Sequence, residues 1–330
     1  MLLARTTTPM TPRQRKPGRA RSTTSGAVHV PVLLEPLLAA ARQHLGRAPR
    51  GLVVDGTLGA GGHATALLNT FEEIELLGLD WDPDSLTHGR AALAPFGTRA
   101  RTARSRLADL GAALTRECGP AARPIAIIAD LGVCSLHFDR PERGFSLQAD
   151  GPLDMRMDPD LPSTAADIVN EWEEEQLADL FFHQGGERRA RRVAKALVTA
   201  RKRAPFLRTL ALADLVEREL GPGGRVHAAT RVFQALRIAV NGEEAQLTGF
   251  LAAAEACLAP GGLLAVITFH SGEDGVVKRR LEDAARRGAF HVLTKKPIAP
   301  THAEERANPR ARSARLRLAL RTLPKAEALA

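Results

Sequence analysis

The chain of 330 residues has no tyrosine, only three cysteines, and aromatic residues at just 4%. The absence of tyrosine rules out dehydrogenases that work through a Tyr-Lys pair. Cys118, Cys134 and Cys257 lie far apart with no Cys-x-x-Cys. Neither a zinc cluster nor a disulfide framework is therefore expected, and a reducing cytoplasm is the natural compartment. No apolar run approaches the roughly 20 residues that a membrane helix needs, and Met1-Leu-Leu-Ala is too short for a secretory core. The reading is a soluble protein with no membrane partner. Acidic residues are missing altogether from residues 1–27, which hold six basic ones, so residues 28–330 carry only +3 of the formal net charge of +9. This Arg-, Thr- and Pro-rich tail lacks hydrophobic periodicity and reads as disordered.

What is present is a chain long enough for one large domain or two modest ones, with 44% hydrophobic residues to fill its core. From His29 onward it becomes regular. Gly51-Leu-Val-Val-Asp55 is a short apolar run, followed by the glycine cluster Gly56-Thr-Leu-Gly59-Ala-Gly61-Gly62 and a helical pattern from His63. Ile74–Asp80 and Ile125–Asp130 are further apolar strands ending in an acid, and a third near Arg101–Arg104 is weak. Leu263–Phe269 is another buried strand; a helix over Glu273–Arg287 and closing strands over Phe290–Lys295 and Ala314–Leu320 follow it. Strands alternating with helices imply an α/β fold with a mostly parallel sheet. Some 130 residues separate Asp130 from Leu263, far more than one crossover needs, and their patterns (165–182, 188–201, 210–219) are helical. The organisation expected is a discontinuous sheet domain over 28–139 and 226–330, interrupted by a helical substrate-recognition domain over 140–225.

Glycines at a strand-to-helix turn let a ligand approach the backbone, and a helix N-terminus presents free N–H groups to an anion. Asp80, 21 residues beyond Gly59, is placed to hold two ribose hydroxyls, and Gly59-x-Gly61-x-x-Ala64 also satisfies the dinucleotide fingerprint. The later elements, with Leu258-Ala-Pro-Gly-Gly before a buried strand, fit the seven-stranded, Rossmann-like sheet of S-adenosylmethionine-dependent methyltransferases. At this level either cofactor class satisfies the first turn; the rest of the sheet separates them.

Eight motifs then occur in order: His29-Val-Pro-Val-Leu-Leu, Asp55–His63, Asp130-Leu-Gly-Val, Glu142-Arg-Gly-Phe145, Gly151–Asp158, Ala229–Asn241, Phe269-His-Ser271 and Asn308-Pro-Arg-Ala-Arg-Ser313. Together they resemble the bacterial 16S rRNA cytosine-N4 methyltransferase family, called RsmH or MraW, from about His29 to Arg321. The resemblance implies methylation of the exocyclic N4 of a cytidine in the decoding centre, with 16S rRNA in the small ribosomal subunit as partner. S-adenosyl-L-methionine is the implied cofactor, contacted at Gly61, Gly62, His63, Asp80 and Asp130. Two further family contacts fall on changed residues: an aromatic position aligns with Leu107, and the Gln of the usual Ser-Ser-Pro-Gln aligns with His137. The family's usual Leu and Arg are also replaced, by Gly272 and Gly275.

A cytosine amine is a poor nucleophile, so the site must align it and accept its proton. Asp130 is the candidate for that work; His270, after the fifth strand, is the candidate for bonding target base or phosphate, with helix capping as its plainer role. Phe145 or Phe269 is expected to hold a flipped base. Trp81 is expected to pack beside the adenine, Cys134 to be an inert small residue, and Asp154 and Asp158 to form a charged network around Arg156 without a metal. Arg188, Arg189, Arg191, Arg192 and Lys195 begin a run of nine basic residues within 21 positions free of acid, and Lys295, Lys296, Arg310 and Arg312 belong to a second cluster. Both are expected to meet RNA phosphates. Methylation of another nucleic-acid amine, a non-catalytic assembly role and a homodimer remain open at this stage.

Overall fold

The structure is a computed structural model describing residues 31–224 and 226–323; the expected tail and His29 lie outside the described residues. Seven strands, β1 (Gly51–Asp55), β2 (Ile74–Asp80), β3 (Ala100–Arg104), β4 (Ala126–Asp130), β5 (Leu263–Thr268), β6 (Phe290–Val292) and β7 (Arg315–Arg321), form one sheet in the order β3-β2-β1-β4-β5-β7-β6. The first five pair in parallel, and β7 runs antiparallel to both β5 and β6. This is the seven-stranded α/β sheet expected from the sequence. All six residues of β5 are buried because helices cover both of its faces, which is why the central strands read as continuous apolar runs. The weak strand, β3, is an edge strand with only Ala103 fully buried.

The helices are α1 (Leu34–Leu45), α2 (Gly62–Thr70), α3 (Pro83–Leu93), α4 (Leu110–Cys118), α5 (Ser135–Asp139), α6 (Ala165–Glu171), α7 (Glu174–His183), α8 (Ala190–Arg201), α9 (Thr209–Leu220), α10 (Thr230–Asn241), α11 (Glu243–Cys257), α12 (Ser271–Arg286) and α13 (His302–Ala307). Apolar residues of α1, α2 and α3 pack on one sheet face, and those of α4, α11 and α12 on the other. Among the described residues no helix is long and apolar enough to cross a membrane.

A third apolar core gathers Phe145, Leu153, Met155 and Met157 with α6 to α10. The periodicity over 165–182 is broken: α6 ends against an extended Trp172, and a capping box of Glu173 and Gln176 starts α7. Helix α10 lies past residue 225, yet Val232, Phe233, Leu236 and Val240 face this helical core. At the end of α10, buried Asn241 accepts the Met157 N–H at 2.8 Å and donates to the Met155 carbonyl at 2.8 Å. It thereby fastens a segment in which Met155 sits at φ 63, a left-handed conformation disfavoured for a bulky residue. Asp158 reaches the other way, to Arg104 of β3 at 2.5 Å, and Arg156 grips Asp154 with Nε and Nη2, each at 2.8 Å.

Candidate active site

The carboxyl ends of β1, β2 and β4 place Asp55, Asp80 and Asp130 along one edge of the sheet. The strand order reverses between β1 and β4, the position at which open α/β sheets form a ligand crevice. Gly59 (φ 53) and Gly61 (φ 83) turn the chain from β1 into α2. A Cβ on Gly61 would stand 3.1 Å from that of Ala92. Helix α2 begins at Gly62 with no side-chain cap and no acid in its first turn, so its N-terminal N–H groups stay available to an anion. Asp80 holds this turn together, one oxygen accepting the Gly59 N–H at 2.8 Å and the other the Asp82 N–H at 3.0 Å. Burial nevertheless pushes its carboxyl up to about 7.

Asp130 receives nothing comparable. Its own N–H donates to Thr57 Oγ1 at 2.6 Å, Oδ2 lies 3.7 Å from His63 Nδ1, and Oδ1 is buried with no hydrogen-bond partner. Burial first, then the negative charge of Glu273, raises its carboxyl to about 8. The far nitrogen of His63, Nε2, stands 2.9 Å from the Val32 carbonyl. Burial lowers the proton affinity of this ring against the opposing pull of Asp55, whose own carboxyl burial raises.

His270 is the N-cap of α12, its Nδ1 accepting the Glu273 N–H at 3.4 Å, so the plainer role foreseen for it is real. Its Nε2 lies 3.1 Å from Glu273 Oε1 yet outside hydrogen-bond geometry, and so keeps its bonding capacity. Gly272 leaves space here, since a Cβ at that position would come within 3.0 Å of His270 Nδ1. Burial opposes ionisation of Glu273, but the close His270 ring and the charge of Arg237 hold its carboxyl below the usual range. Arg237 in turn grips both oxygens of Glu243 at 2.7 Å. Arg237, Glu243 and Glu273 escaped the sequence reading. The spacing of Glu273 three residues after His270 was an available capping signal, whereas nothing local marks Arg237.

Leu107 packs at the first turn, where a Cβ on Gly56 would lie 3.1 Å from its Cδ1. His137 is buried, with Nε2 bonded to Asp82 Oδ2 at 2.6 Å and Nδ1 without a partner. Asp82 also binds Arg143, and these contacts keep its carboxyl ionised despite burial. Phe145 does not stand ready for a base: it is buried in the helical core with its ring 4.9 Å from that of His137. Trp81 also packs against that core. Phe269 is half-buried, near the Gly132 turn after β4.

The basic residues lie apart from this constellation. Arg188, Arg189, Arg191, Arg192 and Lys195 are all exposed at the start of α8. Two of them have structural work, Arg189 capping the α9 carbonyl of Leu220 at 2.7 Å and Arg192 pairing with Glu219 at 3.1 Å. Lys295 and Lys296 are exposed beyond β6, and Lys295 lines a groove of about 730 Å³ with Lys278, Arg286 and Arg317. Arg310 pairs with Asp139 at 3.7 Å and lies over the Phe138 ring, while Arg312 is exposed.

Among solved structures, a putative methyltransferase from Streptococcus mutans in complex with SAH is similar at a TM-score of 0.41 and 11% identity, over 88% of this chain and 99% of that one. Sequence similarity is far stronger. A ribosomal RNA small subunit methyltransferase H from Methylobacterium sp. (strain 4-46) is 46% identical over 90% of this chain and 92% of that protein. Its namesake from Gloeobacter violaceus is 46% identical over 94% and 93%. The model of the MraW methylase family matches residues 26–322, which span both the glycine turn with its three acidic strand ends and the whole helical core. The chain belongs to the MraW methylase family.

Proposed function

We propose that this protein transfers a methyl group from S-adenosyl-L-methionine to the exocyclic N4 of a cytidine in the decoding centre of 16S rRNA, within the small ribosomal subunit. The observation that carries the reading is Asp130: a carboxylate at the β4 end, beside the glycine turn, whose Oδ1 is buried and unpartnered. The residues present fit the cofactor. Gly61, Gly62 and His63 form an uncapped helix start suited to its carboxylate, and Asp80 keeps lone pairs for ribose hydroxyls after accepting two backbone N–H groups. Leu107 offers an apolar wall and His137 Nδ1 an unused bonding atom. When bound, S-adenosyl-L-methionine supplies an electrophilic methyl next to a positive charge.

Asp130 orients the target amine and accepts the proton that this nitrogen sheds as it is methylated; such positioning supplies several kcal/mol. His270 Nε2 bonds the base or its phosphate. The helical unit recognises the substrate, with α8 and the 295–312 region meeting RNA phosphates. The relatives named for small-subunit rRNA support this substrate.

Mass mapping of methylated nucleotides in 16S rRNA from a deletion strain, with and without the restored gene, tests the proposal. One methyl on N4 of a decoding-centre cytidine should vanish and return. A mark that vanishes from another base instead overturns the substrate, and an unchanged map overturns the activity. Asp130→Asn should reduce the single-turnover rate on 30S subunits about 10²-fold at saturating cofactor, with a much smaller loss of cofactor affinity.

A further inference from the structure

The sequence reading places the base platform at Phe145 or Phe269, but Phe145 is buried and Phe269 half-buried. Among the described residues the large aromatic side chains left exposed are Phe138, Trp172 and Phe182. Trp172 stands among Glu171, Glu173, Glu174 and Glu175, acids that repel phosphate, and Phe182 lies on α7 of the helical unit. Phe138 is the one carried by α5, the short helix that follows β4 at the carboxyl edge of the sheet. Its neighbour His137 turns inward to Asp82 at 2.6 Å, whereas Phe138 itself turns outward and is 40% exposed.

The ring does not stand by itself. The Arg310 guanidinium lies over it, 5.5 Å from the ring centroid, and pairs with Asp139 at 3.7 Å. Arg310 belongs to the 3-10 turn Pro309–Ser313, opened by Asn308, whose side chain accepts the Arg310 N–H at 3.1 Å. Just beyond this turn β7 begins at Arg315, opposite Thr268 at the end of β5. Strands β4 and β7 flank β5, two strand spacings or about 10 Å apart. Phe138 and Arg310 therefore approach each other from either side of the strand that leads into Phe269 and His270. Arg312, exposed on the same turn, adds a second cation.

We infer that Phe138 and Arg310 form a stacking platform for an unpaired RNA base flanking the target cytidine, with Arg310 and Arg312 meeting its phosphates. The inference rests on RNA as the substrate and adds the residue on which the neighbouring nucleotide is seated. A target base must leave its stack to reach the cofactor, and its departure uncovers the face of the base beside it. An aromatic ring covers such a face whatever the base, and a guanidinium supplies both a plane and a charge. A nucleotide satisfies ring and cations together. An apolar protein surface laid on Phe138 would instead bury Arg310 and Arg312 without an anion.

Phe138→Ala should raise KM for 30S subunits about fivefold or more, the loss falling on KM rather than on kcat. Affinity for S-adenosylhomocysteine and the melting temperature should stay unchanged. Phe138→Trp should keep the wild-type KM, whereas Phe138→Leu should not, because leucine covers the Arg310 stem but has no flat face. An unaltered KM in Phe138→Ala, or full recovery with leucine, would overturn the platform. Sedimentation velocity adds a further check, since a wild-type dimer lost in Phe138→Ala would assign the ring to a second copy of the chain and overturn it as well. Failure of the substrate is told apart from failure of the platform. Methylation of 30S subunits by Phe138→Ala at unaltered KM removes the platform and leaves the substrate standing. Should the methylated nucleotide lie in another RNA, the same variants tested on that RNA decide: loss with alanine and retention with tryptophan keep the platform, and equal KM values remove it.

Discussion

Three buried carboxylates around the site answer burial in three ways. Asp80 takes a backbone N–H on each oxygen, Asp130 has a histidine on one oxygen and nothing on the other, and Asp82 is held ionised by His137 and Arg143. The Asp80 case carries a pH prediction. Its carboxyl titrates near 7 in the folded protein against 3.8 when exposed, so between those values the folded state holds a proton that the unfolded chain has released. Stability from this group is fully present below about 4 and is lost as pH rises through 7. Asp80→Asn carries no titrating group, so its melting temperature should fall less than that of wild type between pH 4.5 and 7.5. The difference in slope should amount to at least ~1 kcal/mol, about 2 °C for a chain of this size, by calorimetry of the apoprotein. Parallel curves would show that the two N–H bonds offset burial in full.

At the level of elements, one residue ties helix α10 to the strained segment around Met155. Asn241 at the end of α10 pairs with the backbone of Met155 and Met157, both buried. Asn241→Ala leaves an N–H and a carbonyl without partners and removes the clamp on a left-handed Met155. The expected loss is about 2–4 kcal/mol in urea denaturation. A loss under 1 kcal/mol would mean that packing around Met155 suffices. Legibility differed among elements for physical reasons. Central strands such as β4 and β5 announce themselves because both faces are covered, whereas β3, Ala-Arg-Thr-Ala-Arg, alternates as an edge strand does and was weak. The break between α6 and α7 was missed because the apolar periodicity continues through Trp172 although the backbone does not.

For the whole molecule, the run from Arg188 to Lys195 presents five exposed basic residues at the start of α8. Among the described residues Arg188, Arg191 and Lys195 have no ion-pair partner, in contrast to Arg192, which pairs with Glu219, and Arg189, which caps α9. Arg188→Gln, Arg191→Gln and Lys195→Gln combined should lower the salt slope of 30S binding by about 2 and raise KM for the ribosomal substrate. The melting temperature and cofactor affinity should stay unchanged. An unaltered slope would return α8 to the status of a solvated helix face. Extending the change to Arg189 and Arg192 should cost stability as well, since each bonds within the helical unit.

The sequence by itself determined the sheet, its two closing strands, the helical segment between the fourth and fifth strands, and the family. These follow from apolar periodicity, glycine turns and ordered motifs, all of which are local in the chain. It also located the glycine turn, Asp80 and Asp130, because strand ends can be read from where apolar runs stop. What only the tertiary structure decided are the pairs: His63 with Asp130, His137 with Asp82, and Arg237 with Glu243 beside Glu273. The same holds for Phe145, which is a core residue and not a waiting base platform. His63 and Asp130, 67 positions apart, and His137 and Asp82, 55 apart, come together only when the sheet aligns its strand ends, and whether a buried carboxylate holds its proton depends on neighbours that no local spacing records.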